Sequence, residues 1–268
     1  GLGGYGDLVV TGIAIDPVDP KTLIIGTWGY GLLKSTDSGA NWSRLPDPLR
    51  PALLEAGDAG LLPPPAVIAG GPSNVFQPDT PSQNEIAAPI SWARTAVRRV
   101  TINPSNRQEI YACVDDGNGL YRSTDGGSSW TKITLGTGSA RTYTFAPSNN
   151  AVRYASFGTW TTSGGFYRTT NGGSSWDQVG VGVIADTVIA VAIHPTNPNI
   201  VVVGTSGGGL FRTADGGANW SAVNTGISDT TIFSVAFSKS NPNIVYAGGY
   251  FWIYRSADGG VTWANADT

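Results

Sequence analysis

The sequence predicts an all-β chain folded as a single β-propeller over residues 1–268. Three observations predict it. An eight-residue box returns at near-constant spacing, short β-branched and aromatic runs alternate with turn residues, and no window has a convincing helical period. The box reads S/T-x-D/N-x-G-x-x-W and occurs as STDSGANW (35–42), STDGGSSW (123–130), TTNGGSSW (169–176), TADGGANW (213–220) and SADGGVTW (256–263). Successive boxes start 88, 46, 44 and 43 residues apart. The first interval is twice the others, so a worn copy is expected inside it. AVIAGGPSNVFQPDT (66–80) aligns with IVYAGGYFWIYRSAD (244–258), which places a degenerate box at 78–85 and makes the intervals 43, 45, 46, 44 and 43. The expectation is six four-stranded blades, with a degenerate second blade in 46–90. The alternative is five blades plus a long insertion over the same stretch.

Within a repeat the elements follow in a fixed order. In the fifth, TVIAVAIHP (187–195) is a mostly apolar first strand, TNPN a turn, and IVVVGT (200–205) a second apolar strand. GGG leads into LFRT (210–213), the box makes the next turn, and NWSAV (219–223) is a short fourth strand. Val, Ile and Phe fill the runs, while Gly, Pro, Asn and Asp fill the gaps. The nearest approach to a helix, LLEAGDAGLL (53–62), holds two glycines and runs into three prolines.

The box falls on the tight connection between the third and fourth strands. Its glycines allow positive φ, its acidic side chain can accept hydrogen bonds from its own turn, and its tryptophan can bury an apolar ring. The structural set is Asp37 and Trp42, Asp125 and Trp130, Asn171 and Trp176, Asp215 and Trp220, and Asp258 and Trp263. A catalytic acid is needed once or twice rather than at every repeat. Asn171 also stands where the others have aspartate, a change that a turn tolerates and acid–base chemistry does not.

Composition narrows the function classes. The net charge of −3 gives no electrostatic case for nucleic acid or an anionic membrane. No apolar run approaches the roughly 20 residues that span a bilayer. Cys113 is alone, so neither an intramolecular disulfide nor a cysteine metal cluster is expected, and no metal or cofactor is implied. His194 is the single histidine and sits at a repeated turn position. Abundant Gly, Ser, Thr, Asn and Trp with four lysines fits a secreted or surface protein. The chain begins at Gly1 and contains no methionine, so it is expected to be a processed or trimmed product whose targeting signal is not visible.

The box resembles the Asp-box, or bacterial neuraminidase repeat, of sialidases, xyloglucan-active and related glycoside hydrolases, sortilin-type receptors and photosystem II assembly factors. The resemblance spans nearly the whole chain. It implies the propeller fold, but those families differ in function.

In such a blade the turn between strands one and two shares a face with the box turn. The opposite face collects the variable loops TWGYG (27–31), DDGNG (115–119), TWTTSGG (159–165) and YFW (250–252). Trp28, Tyr30, Asp115, Asp116, Asn118, Trp160, Tyr250 and Trp252 are therefore the candidate ligand-binding residues. Flat rings beside carboxylates and amides suit a glycan or a protein surface. The plainer reading is that these rings plug the wide end of the channel or pack on neighbouring loops.

Sialidase resemblance implies an arginine before the first box and a Tyr/Glu pair, yet no arginine precedes Ser35 and the glutamates are Glu55, Glu85 and Glu109. Arg122, Arg168, Arg212 and Arg255 each stand just before a box and read as structural. Xyloglucanase resemblance fits better. YACVDDGNGLYR (111–122) is similar to that family's Y-A-x-x-D-x-G-G-x-Y-R with one extra residue, which implies Asp115 as one catalytic carboxylate. Inversion needs a second carboxyl about 6.5–9.5 Å away. That family draws it from a second propeller. Asp116 and Asp58 are the remaining candidates, and the plainer reading is that Asp115 and Asp116 cap a polar turn. The expected function is a non-catalytic extracellular or surface binding and assembly module. The alternatives are a glycan-active hydrolase using Asp115, or a structural subunit of a homo- or hetero-assembly.

Overall fold

A computed structural model describes residues 9–28, 31–46, 96–115, 117 and 119–266. The expected degenerate second repeat at 46–90 lies outside these residues, apart from Pro46. Every described regular element is a strand, and the strands make five four-stranded antiparallel sheets, each in up-and-down order. The first sheet is β1 (Val10–Ile15), β2 (Leu23–Thr27), β3 (Leu32–Ser35) and β4 (Ser43–Arg44). The second is β5 (Val97–Asn103), β6 (Asn106–Val114), β7 (Gly119–Ser123) and β8 (Thr131–Ile133). The third is β9 (Ser139–Ala146), β10 (Asn149–Gly158), β11 (Ser163–Thr169) and β12 (Asp177–Gln178). The fourth is β13 (Val188–Ile193), β14 (Val201–Thr205), β15 (Leu210–Thr213) and β16 (Ser221–Ala222). The fifth is β17 (Ile232–Phe237), β18 (Val245–Gly249), β19 (Ile253–Ser256) and β20 (Ala264–Asn265). Runs of this alternating design are the blades of a β-propeller.

Two compact units divide the chain, Gly1–Val114 with Tyr121–Lys132, and Asp115–Leu120 with Ile133–Thr268. In the first unit β1 lies beside β5. Ile24 and Leu32 of the first sheet share a core with Val97, Val100 and Ile110 of the second. In the second unit Tyr154 and Phe166 pack on Val188, while Val202 and Leu210 pack on Ile232 and Tyr254. The same register is used each time: a pair of side chains from strands two and three receives the first apolar residue of the next sheet.

That approach is close enough to need glycine. A Cβ on Gly26 would lie 2.4 Å from the Val97 carbonyl oxygen, and one on Gly204 2.6 Å from that of Ile232. A cation adds a latch across each of these seams. Lys34 Nζ donates to the Gly126 carbonyl at 3.3 Å, and Arg212 Nε to the Gly259 carbonyl at 2.9 Å.

The repeated turn is closed by its own side chains. Ser35 Oγ donates to Asp37 Oδ1 at 2.7 Å and accepts the Gly39 amide at 2.9 Å. Asp37 then accepts Asn41 N and Asn41 Nδ2 at 2.8 and 2.6 Å. The pattern recurs at Asp125 with Ser129, at Asp215 with Asn219 and at Asp258 with Thr262. Asn171 keeps it by reversing one bond, since its Nδ2 donates to Ser175 Oγ at 2.8 Å. The tryptophans divide. Trp220 and Trp263 are buried, whereas Trp42, Trp130 and Trp176 are half-buried.

The turns between strands one and two use the same economy with different chemistry. Asp16 Oδ1, Asn103 Oδ1 and His194 Nδ1 each accept two backbone amides of their own turn. Burial, then the charge of Arg212, push His194 below its ordinary value, so its ring remains a neutral acceptor.

Two predictions follow from this frame. Gly204→Ala should cost about 1–3 kcal/mol, because its Cβ meets a carbonyl that cannot rotate away. Gly248→Ala should cost less, since its Cβ meets the rotatable Ser234 hydroxyl; urea midpoints at constant m-value measure both. Acid should unfold the protein through its turns. Hydrogen bonds from Asn41 N, Ser35 and Asn41 Nδ2 hold Asp37 at about 2, and those from Ser129 and Ser123 hold Asp125 at about 2, against 3.8 unperturbed. A depressed native value stabilises above the unfolded one, so this stabilisation is complete above about pH 4 and is lost as pH falls through about 2. Thermal melts of the Asp37→Asn, Asp125→Asn double variant should show a shallower fall over that window.

Candidate functional site

The loops away from the box turns carry the exposed aromatic rings. In the second unit the 159–162 turn links β10 to β11. Thr159 N donates to the Thr162 carbonyl at 2.8 Å, and Thr187 Oγ1 donates to the Thr159 and Thr162 carbonyls at 2.7 and 3.1 Å. Trp160 stands at the tip of this pinned turn, half exposed. Below it the buried Arg141 of β9 places its guanidinium carbon 5.4 Å from the ring centroid. Arg141 Nε donates to the Gly158 carbonyl at 2.9 Å, and Nη1 lies 3.6 Å from Asp115 Oδ1.

From Trp160 the aromatic surface continues. The Phe233 ring centroid lies 6.1 Å from that of Trp160, Tyr250 lies 5.8 Å from Phe233, and Phe251 lies 5.1 Å from Tyr250. All four rings are substantially exposed, as is Trp252. The 250–252 loop is held by the buried Asp229. Its Oδ2 accepts Phe251 N and Trp252 N, each at 3.2 Å, and the Tyr254 hydroxyl at 3.0 Å. That hydroxyl in turn accepts Asp229 N at 3.0 Å. A Cβ at Gly249 would meet Asp229 Oδ2 at 2.3 Å, so glycine is what lets the loop reach its anchor. A cleft of about 460 Å³ opens between Ser228–Thr231 and Tyr250–Trp252. A second cleft of about 460 Å³ lies on the box side, lined by Arg168, Asp215 and Trp220, where Asp215 already bonds Thr213 and Asn219.

Of the candidates read from the sequence, Asp115, Trp160, Tyr250 and Trp252 belong to this one unit. Trp28 belongs to the other, where it is exposed and bridges Ala96 through its backbone. Tyr30, Asp58, Asp116 and Asn118 lie outside the described residues. Sequence reading missed Arg141, Phe233 and Phe251. Arg141 had a signal: it is a charge inside the otherwise buried run SARTYTFA. Phe233 had little, because IFSVAF reads like any apolar first strand.

Cys113 is buried in β6, and burial pushes its thiol up to about 12, so it remains a core residue at neutral pH. Among the described residues no group of three or more His, Cys, Asp or Glu side chains could hold a metal ion. No described helix is long and apolar enough to cross a membrane.

Comparison with known proteins places this fold. No family model matches the chain. Xyloglucanase Xgh74A of Acetivibrio thermocellus is 26% identical over 133 residues, which are 46% of this chain and 12% of that enzyme. The GH74 xyloglucanase of Xanthomonas campestris superposes with a TM-score of 0.67 at 18% identity, over 94% of this chain and 38% of that one. YCF48 bound to D1 peptide superposes with a TM-score of 0.54 at 17% identity, over 97% and 68%. The chain therefore spans a small part of the curated xyloglucanase and under two fifths of the solved one. These likenesses define the fold: a β-propeller, the architecture also found in the GH74 xyloglucanases and in YCF48.

The anchor of the aromatic loop generates a prediction. Asp229→Ala removes the acceptor of three hydrogen bonds in a buried setting and should cost about 2–4 kcal/mol. Faster amide exchange at 250–252 than in wild type, with the β13–β16 amides unchanged, would accompany it.

Proposed function

We propose that the protein is a non-catalytic binding module, secreted or displayed at the cell surface, that takes a polysaccharide chain along the row Trp160, Phe233, Tyr250 and Phe251. The observation that carries this reading is the continuity of that row: four exposed rings in successive edge or tilted contact, Phe233 on strand β17 and the other three on loops tied down by Thr187 and Asp229. Exposed rings held rigid lose little conformational freedom on binding and offer apolar faces to the C–H surfaces of sugars. Arg141 and Asp115 at one end, and the Ser228–Thr231 backbone at the other, supply polar partners for hydroxyl groups. The likeness to xyloglucan-degrading propellers supports a β-glucan as the first ligand class to examine.

Titration calorimetry with soluble xyloglucan, mixed-linkage glucan and mannan tests this. Trp160→Ala and Tyr250→Ala should each weaken binding by roughly tenfold or more, as expected for a central aromatic contact. Equal affinity in the wild type and both variants would remove the aromatic row from the site.

A second reading, hydrolysis, is favoured by the position of Asp115 at the end of that row. If the carboxylate only braces Arg141 beneath Trp160, Asp115→Asn should weaken glucan binding, and neither it nor the wild type should release reducing ends. Release of reducing ends by the wild type but not by this variant would instead establish a glycoside hydrolase.

A further inference from the structure

We infer that the aromatic row selects a glucan chain that bends from sugar to sugar, as a 1,3-linked β-glucan does, over the flat ribbon of a 1,4-linked one, and that Phe233 sets this preference. The inference rests on the binding reading of the same row and adds the shape of the ligand. Ring orientation carries it. The planes of Trp160 and Phe233 are inclined by 71°, those of Phe233 and Tyr250 by 45°, and those of Tyr250 and Phe251 by 59°. The steps between their centroids are 6.1, 5.8 and 5.1 Å, of the order of one sugar residue along an extended glucan.

A sugar gains from an aromatic ring when its C–H face lies parallel to that ring. Successive residues of a 1,4-linked β-glucan keep nearly parallel planes. Such a chain, stacked on any one of these rings, meets the next at 45° or more and forfeits its face. A 1,3 linkage tilts each residue against the last, so that chain can turn with the row.

The tilt is built into the backbone at Phe233. The pairing of β17 with β18 shifts register between Ile232 and Ser234, which makes Phe233 the extra residue of a bulge. A bulge re-aims the side chain it carries. The same shift puts Arg141 at the bulge between Ala140 and Thr142 on β9, and Ile189 at the bulge between Val188 and Ala190 on β13. Three consecutive sheets thus use one register position differently. Arg141 lies under Trp160, Ile189 is half-buried, and Phe233 brings a ring against Trp160. That phenyl ring is inclined to both of its neighbours and makes the surface turn between them. The frame opposes levelling. Trp160 sits over Arg141 on a turn held by Thr187, and the amides of Phe251 and Trp252 are bonded to Asp229.

Titration calorimetry with two β-glucan oligosaccharides of equal length, one wholly 1,3-linked and one wholly 1,4-linked, tests the inference on wild type, Phe233→Ala, Phe233→Leu and Trp160→Ala. Wild type should bind the 1,3-linked chain tenfold or more tightly, the discrimination that one central aromatic contact provides. Both Phe233 variants should lose most of that preference while binding the 1,4-linked chain within a few-fold of wild type. Phe233→Leu keeps apolar bulk at the bulge without a ring face, and unchanged far-ultraviolet circular dichroism confirms that each variant is folded. Equal affinity for the two chains, or a preference for the 1,4-linked one, with both lost in Trp160→Ala, would overturn the inference and leave the binding reading standing. A preference that survives in both Phe233 variants would overturn the role given to Phe233. Binding of neither chain, or binding that Trp160→Ala leaves unchanged, would overturn the binding reading itself and this inference with it.

Discussion

The molecule depends on one constraint: a four-stranded sheet with an outer strand of two or three residues cannot bury enough apolar surface alone, so each must be sealed by its neighbour. The seal is built from a small set of parts. Two side chains from strands two and three form a socket, one residue of the next first strand fills it, and at the Gly26 and Gly204 seams a glycine admits the carbonyl that travels with that residue. The cation before the box then ties the two sheets at the far side of the same seam. Burying such a residue contributes roughly 1.5–3 kcal/mol, whereas a partly exposed cation–carbonyl bond contributes about 1 kcal/mol. Packing therefore sets the stability, and the latch sets the register.

Because sealing uses the faces of the sheets, both sets of turns on the box side are free to become self-sufficient. Asp37, Asp125, Asp215 and Asp258 each satisfy their oxygens within eight residues of chain, and Asp16, Asn103 and His194 do likewise in the first turn. On the other side, Thr187 ties the Trp160 turn and Asp229 the 250–252 loop, and the rings of Trp160, Tyr250 and Phe251 face solvent. Exposed aromatic side chains are left over where the scaffold does not use them.

Most of the fold was legible because a repeat announces itself in composition as well as in pattern. The third strand of the fifth repeat, read as LFRT, is β15 to the residue, and IVVVGT differs from β14 by one position. The fourth strand, read as NWSAV, shrinks to Ser221–Ala222, since Trp220 is drawn back over its own box by the bond from Nε1 to the Gly217 carbonyl. The site was less legible. Trp160 and Tyr250 stood out as tryptophan and tyrosine outside a box, but Phe233 hides in a first strand whose alternation does not say which face remains open. That depends on whether another sheet follows, which is a tertiary fact.

Asp115 shows how placement decides chemistry. A carboxylate that activates water must turn an oxygen toward a site where water and substrate fit together. Here Oδ1 faces Arg141, whose guanidinium also lies over Trp160 and whose Nε is spent on Gly158. The three groups form a stack in which the carboxylate fixes the cation and the cation fixes the ring. Removing the carboxylate would take away one brace of a guanidinium that Gly158 still holds beneath the indole, so on the proposed binding reading Asp115 acts through Arg141 without touching a reacting atom. The same stack would be an obstacle to hydrolysis unless substrate displaced Arg141. For that reason the binding reading requires the arrangement as it stands, and the hydrolytic one requires it to change.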